Sequence, residues 1–300
     1  MSTTATATIV DERPPEPAPP RQARVFDWGQ PFVYLVALVV AAVAVGPVVY
    51  VFLGGFRSTV DLNANPAGLP DPWVFDNWAA VLTAPRFWGN VAASLILATA
   101  TTVGVVVAGL MAAFVIARYN FRGRQALYTL FTAGLMFPLT VAALPLTLLL
   151  RTLGLHGTYL GVIIPGIAFA LPTTIIILVP FLRAIPDELE EAARIDGATR
   201  IGFFWRILLP LSKPGLVTVG ILAFVASWNG YLLPLLVIST GSLPQEWWPL
   251  PLGVTQFSSQ YSQNTGAVLA YTSLAMIPAL VFFLLAEKRI VGGLTGAVKG

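Results

Sequence analysis

Of the fourteen acidic and seventeen basic residues in this 300-residue chain, five and five fall between Arg183 and Lys213. The chemistry such a segment offers is ionic docking on a folded support, not catalysis. Ile185–Gly197 reads as a short helix. Asp187 is placed to act as N-cap, with Glu190 three residues on to complete a capping box. Glu188, Glu190 and Glu191 lie in the early turns, where acidic groups suit the helix dipole. Gly197 stands where a C-terminal glycine takes up a left-handed backbone. Thr199 is placed to cap a second helix, running through Phe203, Phe204, Trp205 and Ile207 to Pro210. Two short helices at an angle make a knob. Ala192 and Ala193 give it a smooth face suited to a groove.

Other chemistries fail on composition. There is no cysteine, so disulfides and thiol reactions are unavailable, and the single histidine, His156, excludes a clustered His/Cys metal site. No Gly-x-x-x-x-Gly-Lys-Ser/Thr string occurs, and none of Lys213, Lys288 and Lys299 follows a glycine. The chain therefore lacks a phosphate-cradling loop of its own. Nor is there a Gly-x-Ser-x-Gly elbow or a pair of carboxylates at membrane depth. The expectation is a non-enzyme with no cofactor or metal on this chain. A net charge of +3 is too small to suggest nucleic acid.

Two further groups could meet a solute. Ser227, Trp228, Asn229 and Tyr231 combine aromatic surface with uncharged hydrogen-bonding groups, which suits a neutral, hydroxyl-rich molecule. An amide at membrane depth must find a partner, so Asn229 bonding a neighbouring helix is an equal reading. Trp247, Trp248, Gln256 and Phe257, with Gln245 and Tyr261, pair aromatics with amides in a loop carrying one acid and no base. The same loop also reads as a cap with interfacial aromatics.

These groups need a lipid-embedded frame. Hydrophobic residues make up 56% of the chain and charged ones 10%, against about 25% charged in soluble domains. Six charge-free stretches are long enough to cross about 30 Å of hydrocarbon: 32–53, 89–117, 125–150, 158–182, 214–238 and 266–286. With the N-terminus inside, fourteen of the seventeen Lys and Arg residues are cytoplasmic, and only Arg57, Arg86 and Arg151 are outside. Both termini are then cytoplasmic. Ala100, Gly104, Ala108 and Ala112 put small side chains on one face of the second span, where a neighbouring backbone can approach. Pro138 and Pro145 in the third span, and Pro165, Pro172 and Pro180 in the fourth, favour bends. No ionisable residue lies inside a span. Residues 1–30, rich in proline and without an apolar leader core, read as a disordered cytoplasmic tail; residues 31–300 form the membrane domain, with the loop at 184–212.

At this point the residues resemble a known family. Glu191-Ala192-Ala193, Gly197, Ile207 and Leu209-Pro210 match in type and spacing the EAA signature of bacterial ABC importer permeases. The run 187–198, Ser227-Trp228-Asn229 and the C-terminal 293–300 are similar to the carbohydrate-import, maltose-type branch. The resemblance covers about residues 30–300. Gly230 and Ala93-Ser94 depart from it, since relatives often carry an acidic residue and Asn-Ser there. It implies an all-α fold of six transmembrane helices, the type I importer permease fold, in a bacterial inner membrane. It also implies a second homologous permease, two ATPase subunits binding ATP and Mg, and a lipid-anchored or periplasmic sugar-binding protein. Glu191 would then pair with a basic group in an ATPase cleft, with Ala192, Ala193, Asp196, Gly197, Ile207, Leu209 and Pro210 completing the ATPase-coupling set that the resemblance implies. Two alternatives stay open: an ABC permease for another solute, such as a glycerophosphodiester, and an ATPase-independent secondary transporter.

Overall fold

The computed structural model describes the backbone of residues 29–260 and 264–298, and the side chains of 31–255 and 264–284. Residues 1–28 of the expected tail, residue 261 and the side chains of Gln256 and Phe257 lie outside the described residues, while Gly29 and Gln30 already belong to the first helix. The chain divides into two compact units, Met1–Gly46 and Pro47–Gly300. The described part of the first is helix, the start of α1 (Gly29–Gly54), apolar on every face as a lipid-facing span requires.

The regular elements in the described part of the second unit are all helices. The unit contains α2 (Thr59–Ala64), α3 (Asp76–Thr83), α4 (Pro85–Arg118), α5 (Arg124–Gly134) and α6 (Leu139–Thr152). After these come α7 (Leu160–Arg183), α8 (Glu188–Ile195), α9 (Arg200–Phe203), α10 (Leu209–Trp228), α11 (Leu232–Val237), α12 (Leu250–Gln260) and α13 (Thr265–Val298). Among the described residues, five helices are long and apolar enough to cross a membrane, and the bent pair α5–α6 makes a sixth candidate.

Three spans differ from the sequence expectation. The stretch 125–150 is not one rod: α5 and α6 meet at 102°. Pro138 is extended (φ −78°, ψ 138°); its ring disfavours helix at Phe137, so the chain must turn there. Pro145, by contrast, is accommodated within α6. The stretch 214–238 was bounded by the last charge, Lys213, but the helix is continuous from Arg200 to Trp228 with Pro214 inside it. Charges mark where lipid begins, not where hydrogen bonding stops. The helix then breaks at Asn229 and Gly230, and α11 resumes. The last span also runs on, as α13, to Val298.

The core forms where α4 lies against both α7 and α10. Glycine makes this possible. A Cβ on Gly104 would sit 2.2 Å from Ile167 Cδ1, and one on Gly109 2.2 Å from Thr174 Cγ2. The close face of α4 thus includes Gly104, as the small-residue stripe suggested, and adds Gly109. Near the end of α1, Gly54 and Gly55 meet Leu269 and Ala270 of α13 in the same manner.

After α1, Arg57 is 1% exposed and organises its own loop. Its Nε donates to Asp61 Oδ2 at 2.5 Å and its Nη2 to the Asn65 carbonyl at 2.6 Å. The hydrogen bond from Arg57 holds the Asp61 carboxyl below its ordinary range. A carboxyl titrating lower when folded adds stability above its unfolded value, about 3.9, and loses it as pH falls through the folded one. Protease access to residues 57–66 should therefore rise only as pH drops below about 4, read by peptide mapping; opening near neutrality would contradict the staple. Separately, Gly109→Ala should destabilise the purified chain by about 1–3 kcal/mol through overpacking. Gly104→Ala should cost less in the same thermal-unfolding assay, because the end of the Ile167 side chain can rotate aside, whereas Thr174 is fixed by its Oγ1 hydrogen bond to the Ala170 carbonyl.

Candidate functional site

The knob is present, but its start is built differently from the capping box. Asp187 already has helical backbone angles (φ −69°, ψ −24°), and its side chain caps nothing. Pro186 presets the first turn one residue early. The Asp187 carboxylate pairs with Arg118 instead, and Glu190 Oε1 accepts from Arg194 at 2.6 Å. The other end follows the sequence reading. Gly197 has φ +80°, in the region glycine occupies without strain. Ala198 N–H bonds the Ala193 carbonyl at 2.8 Å, and Thr199 Oγ1 accepts from Gly202 N–H at 3.1 Å.

The second limb is not a separate short helix. α9 passes through one wide π-turn, Phe204–Leu208, directly into α10. Each limb therefore roots in a long membrane helix, α7 or α10. Glu191, Ala192, Ile195 and Asp196 are exposed, with Ile195 87% exposed, while Ala193 and Phe203 are buried beneath them. Ile207 and Leu209 pack against the core and Pro210 is exposed. The knob thus offers one open face, acidic at Glu191 and Asp196 and apolar at Ile195.

Between α4, α6, α7, α10 and α11 lies a cavity of about 580 Å³. Its lining is mostly aliphatic, with the Phe169 and Tyr231 rings and the hydroxyl-bearing residues Thr101, Thr173, Thr174 and Ser227. No acid, base or histidine is among its lining residues. Of the four sequence candidates, Ser227 and Tyr231 reach it. Trp228 does not: it is 2% exposed, its ring stacks on Phe224, and its Nε1 donates to the Ala275 carbonyl. Asn229 lies at the helix break, exposed and off the cavity wall.

At the end of the bundle away from the knob, the segment Gln245–Leu250 is clasped by polar groups. Asn90 Nδ2 donates to the carbonyls of Trp248 (2.6 Å) and Gln245 (3.1 Å), and its Oδ1 accepts from Tyr271 at 3.1 Å. Ser94 Oγ accepts from Leu250 N–H at 2.7 Å, and Tyr159 donates to the Trp247 carbonyl at 2.8 Å. Trp248 is buried, whereas Trp247 stands exposed.

With this geometry described, comparison with known proteins is direct. Residues 104–288 match the model of the binding-protein-dependent transport system inner membrane component family. The chain is 37% identical to the trehalose transport system permease protein SugB of Mycobacterium tuberculosis, covering 87% of this chain and 94% of that protein. It is 33% identical to the diacetylchitobiose uptake system permease protein NgcG of Streptomyces coelicolor, over 85% and 84% of the two chains. The chain belongs to this inner membrane component family. Its fold is that of a solved chain from a bacterial ABC transporter involved in import of the acidic polysaccharide alginate. The TM-score is 0.73 at 22% identity, covering 89% of this chain and 99% of that one.

As an inner membrane component the protein has features that sequence reading passed over. Thr101, Phe169 and Thr173 line the cavity, and Asn90, Ser94, Tyr159 and Tyr271 build the clasp. Asn90 carried a usable signal: an amide at the start of an apolar span must have a fixed partner. The clasp predicts that Asn90→Leu leaves the buried Trp248 carbonyl unpaired, at a cost of about 1–3 kcal/mol, while the Gln245 carbonyl keeps its bond from Trp248 N–H. Hydrogen exchange at residues 245–250 should then quicken while the core of α4 stays protected. Unchanged exchange in that segment would count against the clasp.

Proposed function

We propose that the protein is the permease subunit of an ABC importer for a small oligosaccharide, with solute passing along the uncharged cavity and drive entering through the knob at Glu191–Pro210. Family membership carries the reading, together with relatives named for trehalose and diacetylchitobiose. The cavity supports the solute class. Hydroxyl and aromatic groups suit a neutral sugar, whereas an anion would meet no cation among the lining residues. For the same reason an ion-coupled secondary transporter is disfavoured, since coupling needs ionisable groups in the path.

The knob supports an ATPase partner. Its open face presents Glu191 beside Ala192, Ile195 and Asp196 over a buried Ala193. A charge buried at such an interface and bonded to a basic group is costly to separate. The basic residues flanking the spans favour a cytoplasmic knob and cytoplasmic termini. The clasped loop carrying Trp247 then faces outward, toward an external sugar-binding protein. ATP and Mg belong to the two ATPase subunits, and a second permease completes the path.

Two measurements test this. Proteoliposomes containing the full transporter and loaded with Mg-ATP should take up labelled trehalose or diacetylchitobiose supplied outside with the binding protein; uptake of neither, with uptake of an anionic glycerophosphodiester, would refute the solute class. Glu191→Lys or Gly197→Pro should reduce uptake at least about a hundredfold, as expected when a buried interfacial charge is reversed, while the protein still inserts. Normal uptake in both variants would remove the knob from the mechanism.

A further inference from the structure

The knob would be of little use if it swung freely at its root. That root, Ala184–Asp187, joins α7 to α8 through a turn and Pro186, with no regular helix between them. A joint of this kind pivots unless something outside the loop holds it. The structure contains such a holder. Arg118, the last residue of α4, donates from Nη2 to the Ile185 carbonyl at 2.7 Å and from Nη1 to the Asp187 carboxylate. Its side chain is 3% exposed. Its Nε–H is buried without a partner, and both acceptors of this buried cation are on the knob root. Parting α4 from the knob would break both charge-assisted hydrogen bonds at once.

The other limb of the knob returns to the same place. Phe204 packs against Phe114 with ring centroids 5.0 Å apart, and the Arg200 guanidinium lies 5.3 Å from the centre of the Tyr119 ring. The end of α4 is itself fixed, since Arg124 donates to the carbonyls of Ile116 (2.7 Å) and Ala117 (3.0 Å). Further up, the same helix supplies Leu97 and Thr101 to the cavity wall. From Thr101 to Arg118 is about 26 Å of unbroken helix at 1.5 Å per residue.

We propose that Arg118 is the positioning residue that locks the knob to α4, so that displacement of the knob moves the Leu97–Thr101 wall of the cavity. The guanidinium suits this role because it spans two acceptors in a fixed fork, which a lysine ammonium on a flexible stem does not. The proposal rests on the permease reading only for the source of the displacement. The lock itself is a property of this chain.

The absence of cysteine makes a direct test available. Val115→Cys on α4 and Leu189→Cys on the knob, both at exposed positions outside the docking face, take a pair of spin labels in the full transporter in lipid nanodiscs. With Arg118 intact, one narrow distance distribution is expected, with and without Mg-ATP. Arg118→Ala should broaden it, and trehalose transported per ATP hydrolysed should fall about tenfold, the size of losing hydrogen bonds to a charged group. Arg118→Lys should recover part of both. An unchanged distribution and unchanged transport per ATP in Arg118→Ala would overturn the proposal. Should Arg118→Ala not insert, Asp187→Ala, at an exposed carboxylate, should broaden the same distribution, and a wild-type width there would overturn it equally. Failure of the solute reading would appear differently, as a wild-type transporter that moves no trehalose while the label distances behave as stated.

Discussion

The approach of α4 to α7 and α10 is the constraint on which the other features depend. Within a bilayer, helices gain little from hiding apolar surface, because lipid is as apolar as leucine. What holds them is close fit. Gly104 and Gly109 let the α4 backbone meet Ile167 and Thr174 of α7 where even a methyl group would clash. Because α4 is seated this deeply, its flanks can carry function. Residues on one side of the seam line the cavity, and its two ends, at Asn90 and Arg118, reach the loops at opposite ends of the bundle. A looser seam would leave the cavity wall and both loops without a common reference.

The distribution of charge follows from the same solvent. Ionisable groups are expelled from the spans, so the charged residues do their structural work at helix ends and in loops. Arg57 is nearly inaccessible, yet it lies just past α1 and is satisfied by Asp61 and by backbone carbonyls of its own loop. Arg118 and Arg124 terminate α4 in a similar way. What remains inside is uncharged, and that limits both the lining of the cavity and the class of solute it suits.

Much of this was legible in the sequence because it is local or compositional. Gly197 and Thr199 act through residues a few positions away, and both behave as their types require. The apolar stretches announced the spans for the same reason. The capping box failed because Pro186, one residue before Asp187, started the helix early and freed Asp187 for a partner 69 positions away. Trp228 failed in a related way. A tryptophan beside an asparagine suits a solute, but Phe224 and the Ala275 carbonyl of α13 claim it first. The clasp around Asn90 joins residues more than 150 positions apart. Pairings of this length are set by how the helices stack, and one sequence holds no record of that stacking.

The two limbs of the knob differ in stiffness, and the difference has a direction. The α7 limb is interrupted at Pro186 but pinned by a buried guanidinium that bridges to α4. The α10 limb is continuous but passes through a π-turn, where Leu209 N–H reaches back to the Phe204 carbonyl. A π-turn places an extra residue in one turn of helix and is a common means of adjusting a helix at a working position. Force applied at Glu191 therefore meets a firm tie toward α4 and an adjustable one toward α10. Of the two, α4 is the helix whose far end holds the loop bearing Trp247. A stiff connection on that side favours transmission along the whole bundle, and compliance on the other lets α10 keep its packing as the knob shifts.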